Sequence, residues 1–187
     1  RWFDEKVGGI ANDLTFQQIQ GGRSNLTFTV QDGSGRRWVL RRPPLGQVLA
    51  TAHDMAREHR VISALANSDV PVPALVGFCK DPAVNDAPFY VMEFVDGIVV
   101  RDVTAAENLP VEVRQRMGRS LVRTLARLHS VDVELVGLGD LGRQNGYTER
   151  QLKRWRTQFE QSTTRKIPQV LEIHKTLVTR IPSQQGV

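Results

Sequence analysis

The sequence predicts an α+β fold: a five-stranded antiparallel sheet with one helix between its third and fourth strands, followed by a mainly helical segment. Three features predict it: short alternating runs rich in β-branched and aromatic residues, one stretch of helical spacing between them, and amphipathic periodicity after residue 110. Hydrophobic residues make up 40% of the 187 residues and charged residues 24%. Because disordered chains are less hydrophobic or more unevenly charged, a folded core is expected.

The first three predicted strands form an antiparallel meander. Residues 1–15 show no clear period, and the first strand, 16–20, stops at a glycine pair. The second strand, 26–30 (LTFTV), is followed by Asp-Gly-Ser-Gly at 32–35, which is a strong turn signal. The third strand, 36–42 (RRWVLRR), ends at two prolines.

A helix separates these strands from the last two. Residues 53–67 have helical spacing of apolar side chains, and the Val-Pro-Val-Pro sequence at 70–73 interrupts the chain after them. Two more strands follow, at 74–79 and 89–94, joined by a polar loop. The remaining chain is predicted to be helical at 110–130, 147–161 and 168–181, with a glycine-rich loop at 131–146.

The composition narrows the class of protein. The net charge of +5 comes from residues 141–187, which hold nine Lys or Arg against three Asp or Glu. No aromatic-rich basic stretch or paired-cysteine motif accompanies this charge, so nucleic-acid binding is not expected. The single cysteine, Cys79, excludes an internal disulfide. No apolar run approaches the roughly 18–20 residues of a membrane span and no signal peptide opens the chain, so we expect a cytoplasmic protein.

The glycine-rich turn between the first two strands is a candidate phosphate site. Gly21 and Gly22 would let backbone N–H groups approach a phosphate closely, and the Ser24 hydroxyl would add a donor. An ordinary hairpin turn explains the same residues, so both interpretations stay open for this turn taken alone.

A cation on the third strand and a carboxylate on the following helix form a second candidate. Arg41 lies on the strand and Glu58 on the helix, and a strand cation held by a helix glutamate can fix the phosphates of a nucleotide. The alternative is two unrelated surface charges. Because neighbouring residues of a strand point to opposite faces, we predict that Arg41 faces Glu58 and that Arg42 points away.

The spacing of the histidines and the absence of the usual hydrolase motifs exclude two enzyme classes. The four histidines lack metal-ligand spacing, and neither HExxH nor GxSxG occurs, which excludes zinc proteases and α/β-hydrolases. The segment 92–97 (MEFVDG), which includes the end of the fifth strand, has the composition of a hinge before the helical half. A hinge backbone offers hydrogen-bonding groups to an adenine edge, although a plain strand end explains the same residues.

Seven segments carry a family resemblance. They are 21–27 (GGRSNLT), 39–44 (VLRRPP), 52–58 (AHDMARE), 70–73 (VPVP), 90–93 (YVME), 125–130 (LARLHS) and 147–155 (YTERQLKRW). With these segments the chain resembles the N-terminal half of the aminoglycoside phosphotransferase-like, protein-kinase-like family. It looks most similar to the branch that is associated with acyl-CoA dehydrogenases. The resemblance extends over residues 14–182.

The resemblance implies a protein-kinase-like fold. Residues 1–97 would be the N-lobe with its hinge, and residues 98–187 an incomplete helical C-lobe. The implied activity is an ATP-dependent phosphotransferase that moves the γ-phosphate to a hydroxyl-bearing small molecule, with ATP and Mg²⁺ as cofactors. The nucleotide-binding residues carried over are Gly21, Gly22, Ser24, Arg41, Glu58, Glu93 and Val95.

Each of these residues would have its own role. The two glycines and Ser24 would cover the phosphates. Arg41 would replace the family's strand lysine and pair with Glu58, and because arginine binds phosphate through a planar fork, the geometry must differ from that of lysine. The hinge backbone at Glu93 and Val95 would meet the adenine.

The family's catalytic loop is missing from the sequence. That loop reads His-Gly-Asp, then four intervening residues, then Asn. Gly139, Asp140 and Asn145 have its spacing, but Leu138 stands where the histidine belongs. We therefore expect the chain to stop before the catalytic loop, with the catalytic and metal-binding residues downstream. The parent would be an enzyme and this chain inactive alone. Its uncovered apolar surface would favour a homodimer.

Two other functions stay open at this point. One is a non-catalytic pseudokinase module that binds a nucleotide or acyl-CoA and serves lipid metabolism. The other is a structural interaction domain with an empty cleft. A His-Gly-Asp sequence encoded downstream of Val187 would favour the enzyme.

Overall fold

The computed structural model describes residues 2–11, 13–19, 25–44, 54–143 and 145–184. Its strands are β1 (Thr15–Gln18), β2 (Leu26–Gln31), β3 (Arg37–Arg42), β4 (Leu75–Cys79) and β5 (Phe89–Glu93). Its helices are α1 (Trp2–Val7), α2 (Met55–Leu65), α3 (Pro82–Asn85), α4 (Val103–Glu107), α5 (Val111–His129), α6 (Tyr147–Ser162) and α7 (Pro168–Val178). The chain divides into two compact units, Arg1–Leu138 and Gly139–Val187.

The five strands form one antiparallel sheet in the order β1-β2-β3-β5-β4. α2 connects β3 to β4, as predicted, and the fold class is confirmed. Although β5 follows β4 in the chain, it lies between β3 and β4. This order places Tyr90 of β5 directly opposite Arg41 of β3.

One face of the sheet is covered by α1. Its Phe3 is buried against Trp38 of β3, with ring centroids 6.0 Å apart, and Trp2 meets Phe89 of β5 at 4.9 Å. No element was predicted in residues 1–15, because a six-residue helix is too short to show a hydrophobic period. The buried cluster on this face is Phe3, Val30, Trp38, Leu40, Cys79, Phe89 and Val91.

A buried carboxylate fastens the chain after α1 to the turn between β2 and β3. The Asp32 side chain is fully buried and accepts hydrogen bonds from five groups. Burial alone would raise the pKa of Asp32, but these hydrogen bonds outweigh it and hold that pKa well below its ordinary value of 3.8. The donors are Ser34 (N–H and Oγ), Arg36 (N–H and Nε) and Ala11 (N–H).

We expect Asp32→Asn to lower the melting temperature at neutral pH. Because the folded-state pKa lies below the unfolded one, the carboxylate stabilises the fold fully above pH 3.8 and loses this effect as the pH falls below it. The melting temperatures of wild type and variant should therefore differ most at pH 5–7, and the difference should shrink progressively as the pH falls below 3.8 toward the lowered folded-state pKa. The exposed Asp86 gives the control variant, Asp86→Asn. A difference that persists unchanged into acid would contradict this role.

The other face of the sheet carries α2. Its N-terminus is capped by the Asp54 carboxylate. His59 stacks on Phe78 of β4 with ring centroids 5.4 Å apart and meets Tyr90 of β5 edge-on. Burial lowers the pKa of His59, so a neutral ring lies among these aromatic side chains. The neighbouring Glu58 is thereby held over the same face of the sheet.

Two short helices were not predicted. α3 lies within the polar loop expected between β4 and β5, and α4 precedes the long α5. Both begin at an aspartate cap, Asp81 and Asp102, and both are too short to show a period. The three longer predicted helices are present as α5, α6 and α7, and α6 contacts α7 within the second unit. None of the helices in the described ranges is long and apolar enough to cross a bilayer.

Candidate functional site

Arg41 and Glu58 form an ion pair between β3 and α2. The Nε of Arg41 donates a hydrogen bond to Oε2 of Glu58 at 3.1 Å. The two side chains are 31% and 33% exposed, so solvent reaches the pair without surrounding it. The predicted contact between these two residues is confirmed.

Arg42 points to the opposite face of the sheet, as strand alternation predicts. It is only 9% exposed, and its Nη1 donates to Oδ1 of Asn85 in α3 at 2.9 Å. Of the two adjacent arginines, Arg41 is therefore the one that faces α2.

Two further donors hold the Glu58 carboxylate. The Tyr90 hydroxyl donates to Oε2 at 3.0 Å, and Nδ2 of Asn25 donates to Oε1 at 2.6 Å. Both carboxylate oxygens are therefore engaged. Neither donor was predicted as a site residue. For Tyr90 the reason is that the pairing of β3 with β5 leaves no signal in the local sequence. The Tyr-Val-Met-Glu and Ser-Asn sequences of the family resemblance were the signals available for them.

The Tyr90 hydroxyl is suited to remain a hydrogen-bond donor. The residue is 2% exposed, and its burial together with the negative charge of Glu58 raises the pKa of the hydroxyl well above its ordinary value. The hydroxyl consequently stays protonated throughout the physiological range.

Only the Nε group of the Arg41 guanidinium is hydrogen-bonded within the described ranges. Nε binds Glu58, and within the described ranges no hydrogen bond engages its two Nη groups. Paired Nη groups present a planar set of N–H donors that matches the oxygens of a phosphate or carboxylate. The site can therefore hold an anion against the sheet while its cation stays paired with Glu58.

The segment after β5 is attached to β3, the strand that carries Arg41, at a point four residues before Arg41. The N–H of Glu93 donates to the carbonyl of Ala74 at 2.8 Å, so a backbone hydrogen bond from Glu93 to a ligand would use its carbonyl. Val95 is 67% exposed. Arg37 of β3 binds Asp96 at 2.6 Å, which fastens the segment to the strand that carries Arg41.

Gly21, Gly22 and Ser24 lie outside the described residues. Within the described ranges, no group of three or more His, Cys, Asp or Glu side chains could hold a metal ion.

The chain belongs to the phosphotransferase enzyme family, whose sequence profile matches residues 15–187. It is similar to a crystal structure from Ralstonia eutropha JMP134 named "putative aminoglycoside phosphotransferase", with 34% sequence identity and a TM-score of 0.74. That similarity covers 97% of this chain and 52% of the other. The kinase-like fold predicted from the sequence is therefore confirmed.

Curated relatives connect the chain with acyl-CoA dehydrogenase proteins. "Probable acyl-CoA dehydrogenase IBR3" of Arabidopsis thaliana is 38% identical over 100% of this chain and 24% of the relative. "Acyl-CoA dehydrogenase family member 11" of Homo sapiens is 36% identical over 92% of this chain and 22% of the relative. "Acyl-CoA dehydrogenase family member 10" of Mus musculus is 34% identical over 90% and 16%. The chain spans a quarter or less of these relatives, and the predicted branch is confirmed.

Proposed function

We propose that this chain binds ATP as the nucleotide-binding part of a phosphotransferase that moves the γ-phosphate onto the hydroxyl of a small molecule. The observation that carries the proposal is the Arg41–Glu58 ion pair. It presents a cation from the sheet, held by a carboxylate of α2. Such a cation holds nucleotide phosphates in kinase-like enzymes. Membership of the phosphotransferase family supports the reaction class.

The spacing along the sheet supports a nucleotide as the ligand. Arg41 lies opposite Tyr90, and Glu93 lies three residues further along β5, about 10 Å away at the usual rise of a strand. Adenine at the carbonyl of Glu93 and the backbone of Val95 would leave room for the ribose before the phosphates meet Arg41. The residues proposed to cover the phosphates are Gly21, Gly22 and Ser24.

The proposed reaction is a single in-line transfer. A bond forms between the acceptor hydroxyl oxygen and the γ-phosphorus, the bond from the γ-phosphorus to its bridging oxygen breaks, ADP leaves, and the hydroxyl proton goes to a base. Arg41 would offset the negative charge that grows on the departing ADP. Glu58 would keep Arg41 in place during this step.

A second candidate function has one specific observation in its favour. The curated relatives are named as acyl-CoA dehydrogenase proteins, and CoA itself carries an adenine nucleotide with a diphosphate. The same cation could therefore hold the diphosphate of CoA or acyl-CoA in a module that transfers no phosphate. The two candidates share Arg41 and differ in the ligand.

Calorimetric titration of the chain separates the two candidates. If ATP is the ligand, it should bind at least about tenfold more tightly than adenosine, because its phosphates add charge-assisted hydrogen bonds of roughly 1.5–3 kcal/mol each. CoA at the same concentration should not displace it. Displacement of ATP by equimolar CoA would favour the non-catalytic module, and equal affinities for ATP and adenosine would contradict both.

A further inference from the structure

We infer that Tyr90 is a positioning residue: its hydroxyl, together with Asn25, holds Glu58 so that Arg41 is bound through Nε alone and keeps both Nη groups for a two-point grip on phosphate. The inference rests on the proposed function and adds to it a residue and a binding mode. It concerns contacts made by β3, β5, α2 and the residue that precedes β2.

The Glu58 carboxylate is oriented from three sides. Oε2 accepts from Nε of Arg41 at 3.1 Å and from the Tyr90 hydroxyl at 3.0 Å, and Oε1 accepts from Nδ2 of Asn25 at 2.6 Å. A carboxylate on a flexible side chain would otherwise bind the two Nη groups of an arginine as a fork. With both oxygens engaged by other donors, the carboxylate is directed at Nε instead.

Packing fixes the position of the Tyr90 ring, and the hydroxyl is not needed to hold the ring in place. The ring lies in the sheet interior at 2% exposure and meets His59 edge-on, with centroids 6.2 Å apart. Phenylalanine would fill the same space. The only hydrogen bond that the hydroxyl donates within the described ranges goes to Glu58. The Tyr90 hydroxyl therefore serves to hold the Glu58 carboxylate, which in turn holds Arg41.

This arrangement explains why position 41 is an arginine rather than a lysine. A lysine ammonium is one point charge, so a single nitrogen would have to serve Glu58 and the phosphate at the same time. Arg41 separates the two tasks: Nε serves Glu58, and the Nη groups lie beyond it. Two parallel N–H···O bonds can then form to phosphate oxygens without breaking the ion pair.

The test measures the affinities of ATP and adenosine for the 187-residue chain carrying Tyr90→Phe. We expect the affinity for ATP to fall about three- to tenfold, the range set by loss of one hydrogen bond in the supporting network, while the affinity for adenosine stays unchanged. The matched control is Tyr147→Phe, since Tyr147 is 62% exposed and far along the sequence in α6. This control should leave both affinities at the wild-type values.

A double-mutant cycle separates positioning from simple structural support. If Tyr90 acts through Arg41, then Tyr90→Phe should have no effect on ATP affinity in an Arg41→Ala background. Equal losses for ATP and adenosine, or an undiminished loss in that background, would overturn the inference. So would an unchanged ATP affinity in the single variant. If the wild-type chain binds ATP no more tightly than adenosine, the proposed function itself fails. The three outcomes above would overturn only the role of Tyr90 and leave the proposed function standing.

Discussion

Replacement of Arg41 by alanine is expected to weaken ATP binding by about a hundredfold while leaving adenosine binding unchanged. Two charge-assisted hydrogen bonds to phosphate oxygens are lost, each worth roughly 1.5–3 kcal/mol before the remaining contacts adjust, and each 1.4 kcal/mol is about tenfold in affinity. Glu58 is also left as a negative charge close to the phosphates. Isothermal titration calorimetry with both ligands measures the effect.

A matched arginine elsewhere in the chain controls for loss of positive charge. Arg156 pairs through Nε with Glu160 at 2.8 Å on the exposed surface of α6, so Arg156→Ala removes a similar ion pair from a different place. It should leave ATP affinity within about twofold of wild type, since exposed pairs contribute little. Equal losses from the two alanine variants would show that ATP responds only to overall charge and would contradict a site at Arg41.

Replacement of Phe3 by alanine is expected to destabilise the chain by about 3–5 kcal/mol, the usual cost of truncating a buried aromatic side chain. Phe3 is 7% exposed and packs edge-on against Trp38 of β3 and Phe16 of β1. Without the ring, the cluster on that face of the sheet loses the buried α1 side chain that packs into it, and Trp2 remains as a contact with Phe89. The free energy of unfolding from urea titration measures the loss.

Leu135→Ala provides the comparison for Phe3→Ala, because Leu135 is 85% exposed. Its effect should stay within about 0.5 kcal/mol. If Phe3→Ala costs no more than this exposed substitution, α1 does not belong to the core of the sheet. The description of the N-terminal segment as part of the fold would then be wrong.

The sequence was sufficient for the order of the strands along the chain and for the orientation of Arg41. A period of two over residues 36–42 and the turn signals around it are local properties, and alternation alone puts Arg41 and Arg42 on opposite faces. The contact with Glu58 was predicted because a strand cation held by a helix glutamate can fix the phosphates of a nucleotide. The structure agrees with each of these expectations.

The features that could not be predicted from the sequence are the position of β5 in the sheet, the short helices and the donors to Glu58. The position of β5 between β3 and β4 places Tyr90 beside Arg41, and no local pattern specifies that neighbour. The short helices α1, α3 and α4 have four to six residues each, fewer than two helical turns, so periodicity could not reveal them. Tyr90 was missed as a donor to Glu58 because no local pattern specifies the position of β5.

The measurement that tests the central claim most directly is a crystal structure of the chain with a non-hydrolysable ATP analogue. We predict triphosphate oxygens within hydrogen-bond distance of both Nη groups of Arg41, with Nε still bound to Glu58 and the adenine at the carbonyl of Glu93. The claim would be contradicted if the analogue bound elsewhere and left Arg41 without a phosphate contact. The competing place would be the arginine-lined groove on α5, formed by Arg116, Arg119, Arg123 and Arg127.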